Sequence, residues 1–258
     1  MTQGIKCFLQ LVRREMYLFF QGFLSRFMDI SFVLCTWGIV FGYLMVNSGL
    51  KSSYGAFILV GSIASFGLFE TIQRATCLAQ DVTDNKIDNF LILPISSSSV
   101  FVSIAISWAI STGVLTLCLF PLGKLILWGK FDLSHASWVK FTLIFITSNL
   151  FYGFFALWVA SLVTNLRNIS WLWCRIINPL YMFCGFFYTW KSAYELAHFV
   201  GYLHLINPLI YVLEGTKASI LGQTGYLPFW NCFFVLWAFI AVFAFDAIRR
   251  FKKRVDFV

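Results

Sequence analysis

Long unbroken apolar stretches separated by short polar joints dominate this chain. Six are long enough to cross a bilayer as helices, which takes about 20 mostly apolar residues. They are 29–47, 54–76, 100–128, 138–163, 169–188 and 227–249. Barrel strands would alternate lipid-facing with lumen-facing residues, and these runs do not alternate. The third run holds Pro121, so a kink or an early end is expected there. A different rhythm precedes the first run. Ile5, Phe8, Leu9, Val12, Met16, Phe19, Phe20, Phe23, Leu24 and Phe27 recur at steps of three and four, with Gln3, Lys6, Gln10, Arg13, Arg14, Tyr17, Gln21 and Ser25 opposite. Residues 1–27 therefore read as an amphipathic helix in the membrane interface, with Phe19 and Phe20 below and Arg13 and Arg14 among the headgroups. The plainer alternative is a lead-in to the first span.

The joints leave no room for a soluble domain, so residues 1–258 form one transmembrane unit. In the joint 77–99, Asp81, Asp84 and Asp88 recur at helical spacing around Lys86, while Val82, Ile87, Phe90 and Leu91 supply an apolar surface. Pro94 ends any helix there, and the serines at 96–99 can cap the next span. Two readings stand: a short helix docking into a partner, or a solvated loop. The joint 189–226 mixes Lys191, Glu195, His198, His204, Asn207, Glu214 and Lys217 with apolar residues that include Tyr211. Pro208 divides it into pieces too short to span, which suits short helices dipping into the outer leaflet. His198 and His204 are badly spaced for one helical face, so no metal site is expected.

Composition agrees with this picture. The chain is 60% hydrophobic and 12% charged, with mean hydropathy +0.81, which excludes soluble enzymes and nucleic-acid modules. The net charge of +8 has a topological meaning. With six spans and inward termini, thirteen Lys and Arg fall on the inner side and six on the outer side, so both termini are expected in the cytoplasm. The basic excess is thus no sign of nucleic acid. The seven cysteines lie singly and without CxxC, which suggests packing rather than zinc or disulfides. No small-residue cleavage site is visible before the first long run, so the amino terminus is expected to be retained.

Charges inside spans are costly and draw attention. Glu70 and Arg74 are an i,i+4 pair, either a local ion pair or a relay from the 77–99 joint to the span core. Arg175, beside Asn178 and Pro179, is placed to snorkel, and Asp246 can pair with Arg249 or Arg250. The 31 Phe, 10 Trp and 10 Tyr either meet lipid or line a conduit. No catalytic grouping emerges, and no GxxxxGK[ST] phosphate loop occurs.

Three segments carry a resemblance across nearly the whole chain: FLILPIS at 90–96, INPLYMFCGFFY at 177–188 and LINPLIYVLEGTKASILG at 205–222. With their order and the basic leading helix, the chain resembles an ABC-2 type transporter permease. That resemblance implies a six-span, all-α membrane protein in a bacterial-type inner membrane, paired with a second copy and two cytoplasmic ABC ATPase subunits. ATP and Mg would bind the ATPase, and this chain would hold no cofactor and catalyse nothing. Asp81, Asp84, Lys86, Asp88, Phe90, Leu91 and Pro94 would carry a coupling helix into the ATPase. Residues 1–27 would be the connecting helix, and 189–226, with Asn207, Pro208, Tyr211 and Glu214, the re-entrant segment closing the outer end. The cargo implied is a glycan, lipid or amphipathic drug-like molecule, exported between two copies along spans two and five. The chain departs from the family in its Asn-containing TDNKIDN stretch and in Thr216–Lys217 after the Glu. The other reading is a non-transporting scaffold that recruits a cytoplasmic partner through the same joint.

Overall fold

The structure, a computed structural model, describes residues 2–83, 96–163 and 169–255, and among them every regular element is helical. Helices suit a chain this apolar, because lipid offers no partner to a backbone amide left unbonded. The leading helix α1 (Thr2–Gln21) ends earlier than the expected residue 27. Gly22, at φ −101° and ψ 7°, breaks it, and α2 (Phe23–Asn47) starts at once. The pattern ran past the break because Phe23 and Phe27 stack on each other within α2. Three long helices follow: α3 (Tyr54–Thr83), α4 (Ser97–Ile126) and α5 (Trp138–Leu162). Ser96 caps α4 by accepting from the Ser99 amide, as its position before the span suggested. Of the kink or early end expected at Pro121, the early end does not occur: α4 runs on for another turn to Ile126.

Among the described residues, five helices have the length and apolarity of a membrane span: Phe23–Asn47, Tyr54–Val82, Ser97–Ile126, Trp138–Leu162 and Phe229–Lys253. The expected sixth span, 169–188, is different. Among the described residues its helix α6 covers 169–182, and it ends at Met182, six residues before the apolar run does. The chain then turns through Gly185, whose φ of +79° favours glycine. Cys184, Gly185 and Phe186 are buried, so this turn is as apolar as the helix before it. Two short helices, α7 (Trp190–Leu196) and α8 (His198–His204), lead to α9 (Pro208–Ile220) and the last helix, α10 (Phe229–Val255). Within α2 and α6, residues 40–44 and 173–177 widen into π turns.

Burial shows which helices are central. The span window of α3 is 89% buried, against 17% for α2 and 22% for α10. The core therefore gathers around α3, with α5 packed against α3, α4, α9 and α10. Gly153 of α5 lies so close to the Ala105 carbonyl of α4 that any side chain there would collide with backbone. All of α9 is buried, although its sequence is interrupted by Glu214 and Lys217.

Candidate functional site

A carboxylate removed from water needs hydrogen-bonded cations to be tolerated. Glu70 of α3 is 9% exposed and meets that demand with two arginines. Its Oε1 accepts from Arg74 Nε at 3.1 Å, from Arg74 Nη2 at 2.9 Å and from Arg26 Nη1 of α2 at 2.9 Å. The remaining arm of Arg74 donates to Ser111 Oγ of α4 at 2.6 Å. Phe19 of α1 lies against both guanidiniums, its ring 5.2 Å from Arg74 Cζ and 5.8 Å from Arg26 Cζ. Four helices thus meet on one carboxylate. Beside it, Arg26, Asp29, Gln73, Arg74 and Cys77 line a cleft of about 210 Å³. An adjoining groove of about 270 Å³ runs past Phe66 and Phe69 to Trp173 of α6.

This arrangement corrects the place expected for Phe19. It is buried under the arginines rather than set in the membrane interface, because a cation held in an apolar site gains from an aromatic face. Arg13, Arg14 and Phe20 are exposed, and Arg14 lies 3.9 Å from Glu15. The i,i+4 pair of Glu70 and Arg74 forms, but its further partners Arg26 and Ser111 were not foreseen.

A second polar cluster, built from α9, meets α3 near its start, at Phe57. Asn207 caps α9, its Oδ1 accepting from the Leu209 amide at 3.0 Å while Nδ2 donates to the Leu180 carbonyl of α6 at 2.6 Å. Pro208 opens the helix at a position where a missing N–H costs nothing. Tyr211 donates its hydroxyl to the Leu205 carbonyl at 2.8 Å. Glu214 accepts the backbone N–H of Trp190 at 2.9 Å and of Leu227 at 3.0 Å, which fixes the starts of α7 and of the chain entering α10. Lys217, completely buried, donates to the carbonyls of Gly185 at 2.8 Å and Phe186 at 3.2 Å, and its Nζ lies 3.4 Å from the Phe57 ring centre of α3. Lys217 was counted among the charges of the outer side, and its lattice of carbonyls and ring explains how a lysine stays inside.

The remaining candidates disperse. Asp81 lies half-buried near the end of α3, whereas Asp84, Lys86, Asp88, Phe90, Leu91 and Pro94 lie outside the described residues. His204 bonds to Tyr188 and the Val200 carbonyl, while His198 packs on Tyr194, so the two histidines serve different partners. Asp246 pairs with Arg250 and also accepts from the Trp158 indole at 2.8 Å. Among the aromatics, Trp128, Trp138 and Trp230 are exposed, while Phe69 stacks on Trp173 with its edge to Tyr181.

Comparison with known families gives one match: the profile described as ABC-2 type transporter covers residues 6–221, from α1 through α9 and both polar clusters. No curated protein matches the chain.

Proposed function

The chain belongs to the ABC-2 type transporter family, and from that premise we propose that it is the permease half of an ATP-driven exporter. As a member it is a multi-pass membrane component of an ABC transporter, without catalysis of its own, and its family works with an ABC ATPase subunit. The finer reading is ours. Two copies stand in a bacterial inner membrane with cytoplasmic termini, joined to two ATPase subunits that bind ATP and Mg. Cargo of the glycan, lipid or amphipathic drug-like class passes between the copies.

The observation that carries this reading is the Glu70 cluster. It joins α1, α2, α3 and α4 about 20 Å before α3 leads into residues 84–95, where the ATPase would dock. ATP-driven closure of two ATPases must reach the bilayer through a stiff element with two positions. Glu70 and Arg74 relay a push on that joint to the interfacial helix and the first three long helices. Asn207, Pro208, Tyr211 and Glu214 hold α9 as the closure of the outer end.

Cysteines placed at Asp84 or Asp88 should cross-link to the groove of the partner ATPase in an ATP-sensitive manner. Asp84→Lys with Asp88→Lys should lower ATPase stimulation while membrane insertion stays intact. Cross-linking indifferent to ATP, to a partner without ATPase activity, would favour a scaffold. Mass spectrometry of cargo copurified with the assembled complex identifies what is moved.

A further inference from the structure

We infer that the bundle holds one structural water between α5 and the helices α3, α4 and α9, bound by Ser148 and Asn149. Buried serine and threonine hydroxyls in these helices otherwise satisfy themselves on their own backbone. Ser62 donates to Ile58 O at 2.8 Å, Thr116 to Thr112 O at 2.8 Å, Thr147 to Leu143 O at 2.9 Å and Thr216 to Val212 O at 2.7 Å. Ser148, next to Thr147 in α5, does not, and its Oγ is buried without a protein partner among the described residues. The following residue repeats the exception. Asn149 donates its amide to Phe145 O at 2.8 Å, but its Oδ1 is buried and unpartnered. A lone orphan could be a rotamer accident, whereas two consecutive residues on one cavity wall make a site.

The cavity fits the ligand. Ser148, Asn149 and Tyr152 of α5 line it with Thr116 of α4, Thr216 of α9 and Ala64 of α3. It offers about 20 Å³ to the centre of a water molecule, above the 10–15 Å³ that one water needs. Hydrogen-bond roles also close. The Ser148 hydroxyl donates to the water, and the water donates one proton to Asn149 Oδ1. Its second proton goes to Thr116 or Thr216 Oγ1, whose own hydrogens are committed to backbone carbonyls. Cavities that stay dry have wholly apolar walls; this one is mostly apolar but carries two unpaired oxygens, which are costly to leave without a partner. The water thereby links fully buried α9 to the central helices.

Radiolytic hydroxyl-radical footprinting of the full chain in lipid nanodiscs tests the site, because a bound water generates radicals where bulk water cannot reach. Tyr152 is 3% exposed, and it should nonetheless be hydroxylated in the wild type. The yield should fall about fivefold or more in Asn149→Leu, which fills the cavity, and about twofold in Ser148→Ala, which keeps the packing. An unmodified Tyr152 in the wild type, or equal modification in all three proteins, overturns the proposal. If Asn149→Leu does not fold, the comparison of Ser148→Ala with the wild type decides.

Discussion

The two polar clusters packed along α3, one near its start and one at its middle, solve the same problem in opposite ways. The Glu70 cluster pairs side chain with side chain across four helices, and one of its cations, Arg26, is 40% exposed. The α9 cluster pairs side chain with backbone: Glu214 takes two N–H groups, and Lys217 gives to two carbonyls, both residues having no exposed surface. An ion pair reached by water can exchange partners when helices shift. A buried charge that completes backbone turns cannot leave without stranding them. The Glu70 cluster is thus built to be remade, and the α9 cluster to hold.

The sharpest way to break that contrast is Glu214→Leu. It strands the N–H groups of Trp190 and Leu227 and leaves Lys217 without its nearby countercharge, so a loss of about 3–5 kcal/mol is expected. In a thermal melt in detergent this appears as a fall in Tm on the order of 10 °C. An unchanged Tm would remove the distinction between the two clusters. Lys217→Met follows, with a cost of about 2–3 kcal/mol from the unpaired carbonyls of Gly185 and Phe186. Hydrogen exchange should rise at residues 183–189 and stay unaltered around Glu70. Next in size is Glu70→Gln, which should cost only about 1–2 kcal/mol in the melt, because Arg26 is already half in water. Its larger effect should be on function, with ATPase stimulation lowered roughly fivefold or more. The smallest effect is that of salt. A double-mutant cycle between Arg26→Ala and Glu70→Gln should give a coupling of about 1 kcal/mol that falls by about half at 1 M salt, where the Debye length is about 3 Å. The cost of Lys217→Met should be indifferent to the same salt.

Those clusters also mark where sequence was legible. The long spans are readable because an apolar run can do little else in lipid, and α2, α3, α4, α5 and α10 follow it closely. The 169–188 run misleads for a physical reason: its helix stops at Met182, but the turn beyond is buried, so hydropathy keeps the same value across the boundary. Glu70 and Arg74 announce themselves by spacing, whereas Arg26 joins them from 44 residues away, beyond any periodicity. Lys217 counted with the outer charges because it lies between the fifth and last expected spans. The available signal was its i,i+3 relation to Glu214 inside an otherwise apolar helix. Ser148 and Asn149 gave none, since back-bonding is the habit of such residues and only the structure reveals the exceptions.

The continuity of α3 from Tyr54 to Thr83 has a mechanical consequence. Lys217 presses on Phe57 near one end, and the rest of the helix extends to Asp81, about 36 Å away at 1.5 Å per residue. Such a helix behaves as a cantilever clamped at its Phe57 end. A tilt of about 10° at the clamp would sweep Asp81 sideways by roughly 6 Å while Phe57 hardly moves. The clamp then sets the axis of the swing, and the exchangeable ionic contacts at Glu70, about 20 Å along the beam, set its stops.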